Sequence, residues 1–153
     1  MNAFRRAAAM VAVIGAASAS MIAMPRGTGQ QSEEPTPAFH SQVPDGPLTP
    51  TLDPAQFENP VVQNAYAKAA KVKKVLYQQP CYCHCDRSLG HGSLLDCFAS
   101  KHGSMCDVCI KEAFFSYEQT LKKKTSEQIR AGIQKGEWQQ VDLSKYGTYP
   151  SKQ

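Results

Sequence analysis

Between Asn59 and Gln79 the apolar residues Val62, Ala65, Ala69, Val72 and Leu76 recur at spacings of three and four, with Lys68, Lys71 and Lys74 outside the stripe. That is one face of an amphipathic helix. Asp53-Pro54 and Asn59-Pro60 each set a capping side chain before a proline, the start signal of a helical region. Pro80 disfavours helical geometry at the residue before it, so the pattern predicts one helix that delivers the chain into Cys81. A second stripe, Ile110, Ala113, Phe114, Tyr117 and Leu121, follows Ser104-Met105-Cys106-Asp107, which reads as a capping box with Ser104 as the cap. Thr125-Ser126-Glu127-Gln128 opens a third, short helix carrying Ile129 and Ile133 and stopping at Gly136. Tyr66, Phe114, Phe115 and Tyr117 fall at helical spacing and read as core packing. The expected fold is mainly α: a small domain over residues 54–137 in which two to three helices support a Cys/His-rich loop region. Residues 138–153 form a tail without a clear signal.

The N-terminal third reads differently. Residues 25–53 are rich in Pro, Gly, Ser, Gln and Thr and poor in large aliphatics, too little apolar surface to offset ordering entropy. A flexible linker is expected there, with His40 solvated. Residues 1–24 have the parts of an export signal: Arg5-Arg6, an apolar stretch over 7–17, and Ala17-Ser18-Ala19 as a small-residue cleavage site. The paired arginines also permit a twin-arginine signal. An uncleaved anchor is the competing reading, and only then would the membrane be a partner. Export places the protein in a periplasmic or extracytoplasmic, oxidising compartment.

Charge adds little. The formal balance is +4, half of it from Arg5 and Arg6. The one basic run, Lys122-Lys123-Lys124, follows a helical stripe and has no interleaved aromatics. It reads as a solvated helix end, which favours cations, and nucleic acid is not an expected partner.

The chemistry is concentrated in one window. All six cysteines and three of the four histidines lie within residues 81–109. If residues 81–85 are extended, alternate side chains share a side, so Cys81, Cys83 and Cys85 project together while Tyr82, His84 and Asp86 face away. Neighbouring thiolates repel and resist ionisation unless a cation neutralises them. Soft thiolate suits Cu(I), Zn(II) or an iron–sulfur cluster. Cys106 and Cys109 have the two-residue spacing common in zinc sites, and a helix N-terminus would favour their thiolate form. Cys97, His91 and His102 lie between these clusters. The candidate ligands are therefore Cys81, Cys83, Cys85, His91, Cys97, His102, Cys106 and Cys109. They suffice for two four-coordinate sites, one polynuclear site, or one site plus disulfides. The expected cofactor is Cu(I) or Zn(II), and the expected partner another periplasmic metal-handling protein.

Other chemistries compete. Covalent haem attachment needs a histidine directly after a two-residue cysteine pair, and Ile110 stands there instead. No βαβ pattern supports a thioredoxin-like dithiol. A thiol–disulfide redox protein remains an alternative, most plausibly through Cys106. So does a disulfide-stapled interaction module without metal, since an even cysteine count in an exported chain often means disulfides.

Pro80-Cys81-Tyr82-Cys83-His84-Cys85 resembles the signature of a family of exported bacterial proteins named for a Pro-Cys-Tyr-Cys-Gly-Cys motif. Leu52-Asp53-Pro54, Ala65-Tyr66-Ala67-Lys68, Gly90-His91, Leu95-Asp96-Cys97-Phe98 and Cys106-Asp107-Val108-Cys109 are also similar to the family pattern, over about residues 50 to 115. The resemblance implies export, often as a lipoprotein, though no cysteine lies near the cleavage region here. It implies no established activity. His84 stands where the family name has glycine: either a ligand is added, or the position needs no glycine backbone conformation.

Overall fold

A computed structural model describes residues 34–150; the expected export signal over 1–24, residues 25–33 and residues 151–153 lie outside them. The described residues form six α-helices and no strand. None of these helices is long and apolar enough to cross a membrane.

The first predicted helix forms in two pieces, α1 (Pro60–Lys71) and α2 (Lys73–Tyr77). Asn59 caps α1 by accepting the Val61 N–H at 2.8 Å, with Pro60 in the first turn. The break falls at Val72, where φ of −122° and ψ of 29° leave helical geometry. Burial of both Val72 and Leu76 holds the break, helped by Gln79. The side-chain amide of Gln79 donates to Ser126 O at 3.2 Å, and the Gln79 backbone carbonyl accepts the Leu94 N–H at 2.9 Å.

Three of the helices are seven residues or longer and support the Cys/His-rich window, as expected, but the window is not all loop. It carries α3 (Cys85–Leu89), α4 (Leu94–Ala99) and a 3-10 turn over His102–Met105. Asp96 starts α4 by reaching back to accept the N–H groups of Gly92 and Ser93 at 2.7 and 3.2 Å. Leu94, Leu95 and Phe98 are then buried, which pins the short helix to the core.

The second stripe forms α5 (Asp107–Leu121), but two residues later than expected. Its cap is Cys106, not Ser104: Cys106 Sγ accepts the Cys109 N–H at 3.5 Å. Ser104 is used in the preceding 3-10 turn, where its hydroxyl donates to Lys101 O at 2.7 Å. That turn presses on α4 at Gly103, where a Cβ would lie 2.9 Å from Cys97 O and 3.3 Å from Phe98. Only a residue without a side chain fits, so the helix begins after it. Leu121, expected on the apolar face, is exposed at the end of α5. The third helix, α6 (Ser126–Gln134), follows the sequence closely. Thr125 and Gln128 exchange the two capping-box bonds at 3.0 and 3.3 Å, and Gly136 follows in the left-handed region with φ of 74°.

Tyr66, Phe114, Phe115 and Tyr117 are all buried, as helical spacing implied. Tyr66 meets Phe98 edge to face at 5.0 Å between centroids. The segment after Trp138, without a sequence signal, closes the back of this core. Its 3-10 turn over Leu143–Tyr146 lays the Tyr146 ring on Phe114, centroids 3.6 Å apart and nearly parallel. The Tyr146 hydroxyl donates to Glu118 Oε1 at 2.6 Å. The Asn64 amide donates to the carbonyls of Tyr146 and Thr148 at 2.9 and 2.8 Å. One well-placed ring and two carbonyls leave no periodicity to read.

Residues 34–52, within the expected flexible linker, lie along the helices as a strap. His40 is not solvated: its ring stacks on that of Tyr77 at 4.0 Å, and its backbone N–H donates to Tyr77 O at 3.3 Å. Ala38 N–H donates to Asp86 Oδ2 at 3.1 Å, and Leu52 N–H to Phe98 O at 2.9 Å. Pro37 is fully buried, and the Arg130 guanidinium sits 4.5 Å over the Phe39 ring. Backbone bonds and ring contacts hold an extended segment without aliphatic periodicity, so composition alone misjudges it.

Candidate metal centre

The expected extended run over 81–85 is a turn. His84 N–H donates to Cys81 O at 3.1 Å, and His84 adopts the left-handed conformation, φ 56° and ψ 32°. The chain reverses there, and Cys85 enters α3. The three sulfurs still converge, by a turn and not by an extended run. Cys81 and Cys83 have Sγ atoms 3.3 Å apart, and Cys85, 3.4 Å from Cys97, stays within 4.8 Å of Cys83. The backbone conformation is the one that glycine adopts freely and other residues adopt at a cost. His84 therefore occupies a position with glycine-type geometry, and the suggestion that no such conformation is needed there is corrected. Nor does its side chain join the sulfurs: Nε2 faces Glu34 Oε2 at 3.3 Å, alongside the Arg87–Glu34 pair at 2.6 Å.

Cys109, on the first turn of α5, faces the turn from the other side. Its Sγ lies 3.4 Å from Cys81 and 3.7 Å from Cys83. His102, from the 3-10 turn, brings Nε2 to 3.4 Å from Cys83 Sγ. Three groups of four donors each converge within 4.8 Å and could hold a metal ion. They are Cys81, Cys83, Cys97 and Cys109; Cys83, Cys85, Cys97 and His102; and Cys83, His102, Cys106 and Cys109. All six predicted cysteines and His102 are thus brought together. His91 stands one step out, in none of the three groups, with Nδ1 3.4 Å from Cys97 Sγ and its ring 5.4 Å from that of His102. All six cysteines are free thiols.

Burial grades the site. Cys81, Cys85, Cys97 and Cys109 form a buried floor, while Cys83, Cys106, His102 and His91 are partly exposed at the rim. The thiols share out their ionisation. Cys83 is held well below the ordinary thiol range by the S–H donors around it, Cys106 foremost, and Cys97 is pulled down to about 4, by Cys109 foremost. Cys81 and Cys109 are pushed up, chiefly by their neighbours Cys109 and Cys106 respectively, with burial adding to both. A few thiolates are solvated by the remaining thiols, and ionising the whole set calls for a cation.

Glu112 was missed by sequence reasoning. It lies one turn after Cys109 on α5, is completely buried, and accepts the Tyr82 N–H at 2.9 Å, tethering the cysteine turn to the helix. Burial pushes its carboxyl up to about 8, against the partial relief of that N–H. Its other oxygen, Oε2, has no hydrogen-bond partner. The available signal was a lone acidic residue on the face that carries Cys109 and Ala113.

No curated protein and no solved structure matches the chain. The model of a protein family of unknown function with a PCYCGC motif matches residues 48–140, which takes in all six described α-helices and every candidate ligand, and the chain belongs to that family.

Proposed function

We propose that this domain binds a soft metal ion, Cu(I) or Zn(II), through its thiolate pocket, and that it holds and passes on the ion without catalysing a reaction. One observation carries the reading: the Sγ atoms of Cys81, Cys83 and Cys109 stand 3.3–3.7 Å apart in a four-cysteine group that includes Cys97. Sulfurs placed tetrahedrally about 2.3 Å from a zinc ion stand about 3.8 Å apart. For these three sulfurs shifts of tenths of an ångström suffice, and Cys97 lies within 4.8 Å of them. A buried floor with a partly exposed rim favours exchange over a closed structural site, because an incoming ligand can reach Cys83, Cys106 or His102 first. The donor or acceptor would be another metal-handling protein in the same periplasmic or extracytoplasmic compartment, to which residues 1–24 would direct the chain.

A second reading has its own observation. Cys81 and Cys109, and Cys85 and Cys97, are each 3.4 Å apart, near enough for small shifts to bring them to the disulfide length of about 2.05 Å. An oxidised form would be a stapled module, or a redox protein if the bridges cycle. Elemental analysis with a free-thiol count, on full-length protein prepared without chelator from both exported and cytosolic material, separates the readings. Copper or zinc at one or more equivalents with free thiols supports metal binding. No metal from either source, with all cysteines paired, refutes it.

A further inference from the structure

How ions would be arranged in the pocket follows from the overlap of its donor groups, given the soft-metal reading above. Cys83 is common to all three groups of four, and every two groups have a second donor in common: Cys97, Cys109 or His102. The pocket therefore contains no two separate four-donor sites. A second ion can be fully coordinated only by sharing donors with the first.

Sharing is chemically selective. The acceptor nitrogen of an imidazole has one lone pair and serves one ion. A thiolate sulfur has lone pairs to spare and can join two. His102 cannot be a bridge, which removes one of the three combinations. The bridging pair is then Cys83 with Cys97, or Cys83 with Cys109. Burial and local bonding decide between them. The first brings in Cys85, 2% exposed and 3.4 Å from Cys97. The second brings in Cys106, which lies at the rim and is already engaged as the cap of α5. Charge points to more than one ion. A second divalent ion adds two positive charges and only one further thiolate, Cys85, since His102 binds neutral. The negative charge buried in the pocket falls, and with it a desolvation penalty.

We propose that the pocket is a dinuclear centre in which Cys83 and Cys97 bridge two soft metal ions, Cys81 and Cys109 completing the coordination of one and Cys85 and His102 that of the other. Cys106 is left as a rim thiol outside the centre.

The test titrates the reduced, metal-free full-length chain with Co(II), a spectroscopic stand-in for Zn(II). Sulfur-to-cobalt absorption and electron paramagnetic resonance are followed together, and native mass spectrometry counts ions after Zn(II) loading. Two ions per chain are expected. Absorption rises through the second equivalent, while the resonance amplitude, having risen with the first, falls as the bridging sulfurs couple the spins. Cys97→Ser reduces the count to one, and Cys106→Ser keeps two ions and the coupled signal. The proposal is overturned by a resonance that keeps growing through the second equivalent, by a count of one in the wild-type chain, or by loss of an ion in Cys106→Ser. If Cys97→Ser does not fold, the wild-type titration decides alone. A count of one leaves the soft-metal reading standing, whereas no binding by the wild-type chain removes both.

Discussion

Replacing Glu112 by glutamine separates the cost of a buried carboxyl from the rest of the site. Glu112 is fully buried and its carboxyl is raised from 4.5 to about 8. Below pH about 4.5 the group is protonated in both folded and unfolded chains, and its burial carries no ionisation cost. As pH rises, the unfolded chain releases the proton and the folded chain keeps it, so folding stability falls until both are ionised above pH about 8. At about 1.36 kcal/mol per unit of difference, the full loss is about 5 kcal/mol. Water penetration and local relaxation bring the expected loss to about 2–5 kcal/mol. Glutamine keeps an oxygen to accept the Tyr82 N–H and has no proton to release. Urea unfolding of the reduced, metal-free full-length chain, between about pH 5 and about pH 9, gives the stability of each form. The thiols titrate in both proteins, so the difference between the two curves isolates Glu112. Glu112→Gln should gain on wild type steadily as pH rises. Parallel curves would refute the reasoning, since they would mean that the carboxyl ionises as easily folded as unfolded.

Three further outcomes are expected. His84→Gly removes the cost of a left-handed non-glycine residue and should raise stability by about 1 kcal/mol in a urea melt, less whatever the exposed pair with Glu34 contributes; a clear loss would contradict the backbone argument. Gly103→Ala forces a Cβ against Cys97 O at 2.9 Å and should cost about 1–3 kcal/mol, with weaker metal retention in a chelator competition because Cys97 is displaced. His40→Ala removes the stack on Tyr77 and should cost about 1 kcal/mol; hydrogen exchange would then speed up at the backbone amides of positions 38 and 40, and unchanged rates would mean that the stack does not hold the strap.

What the sequence made legible follows from where its signals are local. The stripes of α1, α5 and α6 could be read because each buries a face at helical period, and Thr125 to Gly136 could be bounded because caps are chemical. The six cysteines announced a thiol site because no packing role requires so many in one window. Their grouping was not legible. It depends on the left-handed turn at His84, a non-glycine residue in glycine-type geometry, and the reversal sets Cys85 against Cys97 while keeping it near Cys83. α4 could have been found, since Ser93 to Asp96 has the same spacing as the box that was read at Ser104. The Ser104 box misled because the tight approach at Gly103 is a tertiary constraint. The strap and the closing segment after Trp138 are held by backbone bonds and single rings, interactions that leave no periodic trace. Glu112 lacked a signal other than its place beside Cys109.

The grip of Asn64 on the Tyr146 and Thr148 carbonyls joins segments 82 and 84 residues apart, and the stack of Tyr146 on Phe114 ties the same closing segment to α5. They therefore set an order on the life of a newly made chain. Every cysteine is synthesised well before Tyr146, and until that residue arrives Phe114 lacks its stacking partner. During that interval the thiols belong to an unfinished core. Oxidant and metal then compete with folding itself for the same sulfurs, so the outcome for each molecule is a race decided by which reaches them before the closing segment does.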